Sequence, residues 1–184
     1  NSNFNLLCLP VDNFPNFTED LSPNGINLDS KKLLTLLNKT KISMSNDETR
    51  HYLNGIFIHI TESANMSYLT GVATDSHRLS SSSIPLEKAQ DFKPFILPKK
   101  AVFQLCNLLQ ENSGKVILYT GESKVQFRIG NSKITSKIID GKFPDYKKVV
   151  PQGNKSTLSV NAKDFIHSVE RVITVSIDRK EGVK

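Results

Sequence analysis

Ile26-Asn27-Leu28-Asp29-Ser30-Lys31-Lys32-Leu33-Leu34 has two counterparts along the chain, Phe95-Ile96-Leu97-Pro98-Lys99-Lys100-Ala101-Val102-Phe103 and Leu158-Ser159-Val160-Asn161-Ala162-Lys163-Asp164-Phe165-Ile166. Each reads as a short strand, a helix start at Asp29, Pro98 or Asn161, lysine in the first turns, and then an apolar-faced helix. The first and third copies are offset by 132 residues and the second lies between them. Such self-similarity marks a duplicated structural unit.

The helices that follow are short and amphipathic. Leu33, Leu37 and Met44 recur with Leu34 and Leu36 at helical spacing, leaving Lys32, Thr35 and Lys39 on another side. Val102, Leu105, Cys106 and Leu109 form the second stripe, and Phe165, Val169, Val172 and Ile173 the third. Strands fill the intervals. Ile56, Ile58 and Ile60 alternate with Phe57, His59 and Thr61. Val116–Tyr119 and Val125–Ile129 flank a hairpin at Gly121-Glu122-Ser123, and a turn at Gly130-Asn131-Ser132 leads into Ile134–Ile139, making a meander. The unit of strand, helix and mostly antiparallel strands occurs twice between roughly 24 and 147, which predicts an α+β domain with internal pseudo-twofold symmetry. Residues 21–150 are then one complete domain, residues 1–20 the end of a domain before it, and residues 151–184 a linker and the start of the next. Phe4–Leu9 reads as a terminal strand, and Phe14-Pro15-Asn16-Phe17 is echoed 129 residues later by Phe143-Pro144-Asp145-Tyr146.

Composition narrows the classes. The 184 residues carry 24 Lys+Arg against 18 Asp+Glu, a net charge of +6, and are 38% hydrophobic, which excludes a disordered tail. The apolar runs, such as Gly55-Ile56-Phe57-Ile58, fall far short of the ~18–20 residues of a membrane-spanning helix. Cys8 and Cys106 offer neither a disulfide framework nor a zinc site, and a reducing, cytoplasmic setting fits them.

Catalytic constellations are thin. Asp75-Ser76-His77 holds the residue types of a hydrolase triad, but in an extended segment neighbouring side chains point to opposite faces, and no Gly-x-Ser-x-Gly elbow is present. His51, His59, His77 and His167 lack metal-ligand spacing, and phosphate-binding glycine loops are absent. The expectation is a non-enzymatic protein with no catalytic residues, no metal and no cofactor. What remains is basic charge on helices: Lys31, Lys32, Lys39 and Lys41 around the first, Lys99 and Lys100 at the start of the second. Its natural partner is a phosphate backbone, and with no aromatic-interleaved patch the contact should be sequence-independent.

Three segments carry a family resemblance: Arg50-His51-Tyr52-Leu53-Asn54-Gly55-Ile56, Val72-Ala73-Thr74-Asp75-Ser76-His77-Arg78-Leu79, and Ile134–Tyr146 with its Asp140-Gly141-Lys142-Phe143-Pro144-Asp145-Tyr146 end. In this order and spacing they resemble the signatures of the bacterial β sliding clamps, the processivity subunits of DNA polymerase III, across essentially the whole chain. The resemblance implies the DNA-clamp fold, with antiparallel sheets outside and helices on the inner face. It implies that the full-length protein forms a homodimeric ring, not expected of this fragment alone, that encircles duplex DNA, slides without sequence preference and tethers polymerase, clamp loader and repair proteins. It carries Lys32, Lys39, Lys99 and Lys100 to the DNA-facing side and Arg50, His51 and Tyr52 to a loop that touches DNA in relatives. Asp47 stands where a relative can place a polar DNA contact, and a carboxylate there would repel phosphate.

The same resemblance implies a hydrophobic cleft for clamp-binding peptides. Its wall in this chain would comprise Leu53, Thr74, Ser76, His77, Arg78, Leu79, Pro144 and Val149, with Ser76 where the family commonly has glycine. Leu53, Leu79, Pro144 and Val149 supply apolar wall, and Thr74 and Arg78 polar edges. Read without the family, Leu79 and Val149 fit ordinary core positions. The alternative function is a basic module that binds nucleic acid directly without forming a ring, distinguished by tight, sequence-dependent affinity for linear DNA.

Overall fold

The computed structural model describes residues 2–13, 21–87 and 92–175. The chain divides into two compact units, Asn1–Phe143 and Pro144–Lys184.

In the first unit the order is β1 (Ile26–Asp29), α1 (Ser30–Thr40), β2 (Gly55–Ser63), β3 (Met66–Thr74), β4 (Leu79–Pro85), then β5 (Phe95–Pro98), α2 (Lys99–Glu111), β6 (Lys115–Thr120), β7 (Lys124–Ile129) and β8 (Ser132–Lys137). The duplication read from the sequence is present, with one addition. The two repeats exchange their first strands: β1 pairs with β6 in a sheet ordered β1-β6-β7-β8, and β5 pairs with β2 in a sheet ordered β4-β3-β2-β5. All of these pairings are antiparallel. After β8 the chain crosses to the other sheet, where Ile139 donates its amide to the Ile96 carbonyl at 3.0 Å.

The helix starts fall where the sequence places them. Asp29 caps α1 by accepting from the Lys32 amide at 2.9 Å, and Pro98, whose fixed φ suits a helix entry, precedes α2. Leu33, Leu36 and Leu37 of α1 and Val102, Leu105, Cys106 and Leu109 of α2 are buried with Ile26, Leu28, Ile56, Ile58, Leu69, Val116, Leu118, Val125, Phe127 and Ile129 from both sheets in one core. Met44 joins that core by another route than helical periodicity. α1 ends at Thr40, whose hydroxyl bonds the Leu36 carbonyl at 2.8 Å, a 3-10 turn covers Lys41–Ser43, and Met44 follows in extended backbone. The outer face of β2 is not left to solvent either, because Phe143 stacks on Phe57 with centroids 4.8 Å apart and planes 4° from parallel.

The chain start departs from expectation. Phe4–Leu9 forms no strand and its apolar side chains are exposed, since no strand among the described residues offers it a ladder. Phe14-Pro15-Asn16-Phe17 lies outside the described residues.

The second unit contains a 3-10 turn at Tyr146–Lys148 and α3 (Ala162–Thr174). Asn161 caps α3 by accepting from the Lys163 and Asp164 amides, as its place in the repeat predicts. Leu158-Ser159-Val160 forms no strand and has no ladder partner among the described residues, and Phe165, Ile166, Val172 and Ile173 are about half exposed, so the stripe of α3 is not core there.

Candidate functional site

Two surfaces of the first unit gather the residues singled out above. The first is the exposed side of the helix pair. α1 has no acidic residue, and α2 has one, Glu111 at its last position. Lys31, Lys32 and Lys39 of α1 and Lys100 of α2 are exposed, and α1 lies beside α2, so lysines from both repeats share one surface. Packing explains the arrangement: the leucine stripes take the sheet side, and the 3.6-residue period leaves the lysines opposite. Lys99 is tied down instead, its ammonium bonded to Asn46 Oδ1 and its amide donating to the Asn54 carbonyl at 3.0 Å. Phe103, 43% exposed, stands on the same helix with the Lys41 ammonium 5.7 Å from its ring centroid. The sequence shows no aromatic within the basic patch. Lys41 and Phe103 meet only because α1 and α2 are neighbours in space.

The second surface is built from two turns. A 3-10 stretch at Glu48–Leu53, kinked at Arg50 (φ −111°, ψ 58°), runs into β2. The 75–78 connection joins β3 to β4. Asp47 organises the first turn: Oδ1 accepts from the Thr49 hydroxyl at 2.6 Å and from the Thr49 amide at 2.9 Å, and Oδ2 accepts from Arg50 Nε at 2.8 Å. The Thr49 hydroxyl bond, then the Arg50 bond and charge, bring the Asp47 carboxyl down to about 2. The carboxylate is thus engaged with its own turn.

Asp75-Ser76-His77 is a tight turn rather than the extended segment expected. Asp75 Oδ1 accepts the His77 and Arg78 amides at 2.9 and 3.0 Å, and Oδ2 pairs with Arg78 Nε at 2.9 Å. Partial burial pushes the Asp75 carboxyl up, but the Arg78 and His77 amide bonds and the Arg78 guanidinium outweigh it and leave it below its ordinary value. The Asp75 oxygens are spent on backbone and Arg78, not on the His77 ring, so the triad residues do not act in series. Ser76 has φ +79°, in the left-handed region where glycine is at ease. Its hydroxyl receives Arg50 Nη1 at 2.6 Å, joining the two turns.

The other candidates distribute unevenly. His51 is exposed, with Nε2 3.2 Å from the Asp140 carbonyl, and Tyr52 beside it is half-buried. Thr74 donates to the Arg78 carbonyl at 2.8 Å, across the base of the 75–78 turn. His77 and Arg78 are exposed and Leu79 half-buried, whereas Leu53 is 2% exposed and belongs to the core of this unit. Pro144 and Val149 belong to the second unit. Val149, 68% exposed, is not the core residue its apolarity suggests.

A duplicated strand-helix-strands body with exchanged strands and basic helices is a sliding-clamp domain in architecture. The profile of the DNA polymerase III beta subunit, central domain, matches residues 27–145. Beta sliding clamps from Caulobacter vibrioides and Vibrio cholerae are 36% and 33% identical over 184 and 183 residues, covering the whole chain and about half of each relative. A Caulobacter crescentus beta sliding clamp structure superposes with a TM-score of 0.89 at 36% identity, covering 93% of this chain and 46% of that one. The Bartonella birtlesii clamp bound to griselimycin gives 0.88 at 40% identity, covering 96% and 48%. The chain belongs to the beta sliding clamp family, the beta subunits of DNA polymerase III, and spans about half the length of the relatives it matches.

Proposed function

We propose that this chain is the central part of a polymerase processivity factor: a non-catalytic ring that surrounds duplex DNA, slides without reading sequence, and holds polymerase, clamp loader and repair proteins through short peptides. The observation that carries this is family membership joined to an exposed helix surface with four lysines and one terminal glutamate. Residues 21–150 form the complete central domain in this proposal, 1–20 the end of the first and 151–184 the start of the third. Lys32, Lys39 and Lys100 face the duplex, with Lys99 behind them on Asn46. Their long stems let the ammonium groups follow phosphates without fixing a register, which suits sliding.

The 75–78 turn with Thr74 and Leu79 contributes wall to the peptide cleft, and the family resemblance implies a role in peptide binding for Pro144 and Val149. Leu79, half-buried, offers apolar surface to a leucine or aromatic anchor, and Arg78, exposed and held by Asp75, a charged edge. A tethered polymerase then meets DNA at an effective concentration far above its bulk value. The test is titration of a labelled polymerase C-terminal peptide into the full-length protein. Saturable binding weakened about tenfold or more by Leu79→Ala or Pro144→Ala is expected for anchors of this kind. An absence of saturable binding would sink the proposal.

A further inference from the structure

Ser76 occupies a backbone conformation that a serine does not choose unaided. The other left-handed non-glycine residues among those described, Ala64 and Asn65, make the two-residue β2–β3 hairpin, where paired positive φ values are what the turn requires. Ser76 stands in the four-residue connection 75–78 and carries the Cβ penalty that glycine avoids. A specific contact offsets it. Arg50 Nη1 lies 2.6 Å from Ser76 Oγ, while Arg50 Nε is held 2.8 Å from Asp47 Oδ2. Asp47 is itself fixed by Ser45, whose hydroxyl accepts the Asp47 amide at 3.0 Å, and by Asn54, which donates to the Asp47 carbonyl at 3.0 Å. On the other side the Ser76 amide reaches Thr74 Oγ1 at 3.2 Å. The two turns are therefore connected through one guanidinium whose base is anchored in the first and whose tip ends on the second.

We propose that Arg50 and Ser76 form a latch that holds the 75–78 turn in its left-handed shape and so positions His77, Arg78 and Leu79, making Arg50 a positioning residue of the rim and not a phosphate ligand. A glycine at position 76 would hold this conformation without help, and the serine makes it depend on Arg50. The consequence for peptide binding rests on the cleft proposed above. The consequence for turn geometry does not.

A double-mutant cycle in the 184-residue chain tests the latch. Arg50→Ala and Ser76→Ala each lower the folding equilibrium constant about tenfold, the worth of one charge-assisted bond, and the double variant falls little further than either. Arg50→Lys, which keeps the charge but lacks the planar fork that spans Asp47 and Ser76, gives the same coupling and is the gentler variant. Additive effects, about a hundredfold in the double variant, would overturn the latch. In the full-length protein Arg50→Ala weakens peptide binding about tenfold, and adding Ser76→Gly restores it to within about threefold. Peptide binding that stays weak in Arg50→Ala/Ser76→Gly would overturn the positioning role. So would a slope of log affinity for duplex DNA against log salt lowered by about 0.9 in Arg50→Ala, the signature of one phosphate fewer neutralised. A coupled cycle in a protein that binds no peptide would refute the cleft and leave the latch standing.

Discussion

Gly55 is where the exchange of strands between the repeats is most exposed to a single added carbon. It opens β2 opposite Pro98 of β5, and a Cβ built there falls 2.3 Å from the Leu97 carbonyl oxygen and 3.0 Å from both the Leu97 carbonyl carbon and Ile96 Cγ2. The nearest atom is backbone, so no rotamer change relieves the clash. Strand β5 must move by about 1 Å to reach ordinary carbon–oxygen separation. That shift strains neighbouring ladder bonds at Ile56↔Leu97 and Phe57↔Ile96 and the Lys99 amide bond to Asn54. Overpacking of about 1–3 kcal/mol plus one weakened bond of about 1 kcal/mol puts Gly55→Ala at about 2–4 kcal/mol destabilising. Gly71→Ala is the control: its Cβ would meet Leu36 Cδ2 at 2.6 Å, the end of a side chain that can turn away, and should cost about 1–2 kcal/mol. Urea unfolding with a shared m-value measures both. A Gly55→Ala protein within about 0.5 kcal/mol of the parent, the scatter of surface substitutions, or one more stable than Gly71→Ala, would refute this seam.

Three further outcomes follow from the same geometry. Replacing Lys32, Lys39 and Lys100 together by alanine should lower the slope of log DNA affinity against log salt by about 0.9 for each phosphate no longer neutralised, up to about 2.7, and an unchanged slope would remove the helix face from the DNA surface. Asp47 titrates at about 2 against an ordinary 3.8, so its contribution to stability is complete above 3.8 and is lost as the pH falls through about 2; carboxyl carbon NMR showing a midpoint near the ordinary value would contradict the Thr49 and Arg50 bonds. Leu36, fully buried at the centre of α1, should cost about 2–5 kcal/mol when cut to alanine, read by urea midpoint, and a cost under about 1 kcal/mol would mean that the helix is not seated on the sheets through this side chain.

Local chemistry was legible in the sequence, and spatial exchange was not. Asp29 and Asn161 announce helix starts because a cap acts on amides two or three residues away, within any reading window, and Pro98 announces one through its fixed φ. The swap of β1 and β5 carries no such mark, since the repeat pattern is the same whether each unit pairs its own first strand or its partner's. Phe4–Leu9 and Leu158–Val160 have strand composition without a strand to pair with among the described residues, and composition does not report whether a ladder partner exists. Periodicity puts Met44 on the helix, but the chain tightens at Lys41 and buries it from a loop. At the candidate site, Thr74 bonds the Ser76 amide and the Arg78 carbonyl within one short turn, while the bond that ties Ser76 to Arg50 spans 26 residues and has no sequence signature.

The exchange of strands also bears on how charge is presented. Because β5 belongs to the second repeat but lies in the first repeat's sheet, α2 follows it directly onto that sheet and comes to rest beside α1. Each helix buries an apolar stripe and neither has an acidic residue in its first turn, so the one carboxylate at either start is the Asp29 cap of α1. Lys31 and Lys32, and Lys99 and Lys100, stand there instead, where the helix dipole disfavours cations. The helix dipole gives no stability reason for lysine pairs at both helix starts. An anionic partner supplies one, since a phosphate near those starts meets helix dipole and ammonium groups of the same sign at once. Arg50, tied to Asp47 and Ser76, adds little to that field, and in the cleft proposed above the Asp75–Arg78 pair is the charged edge.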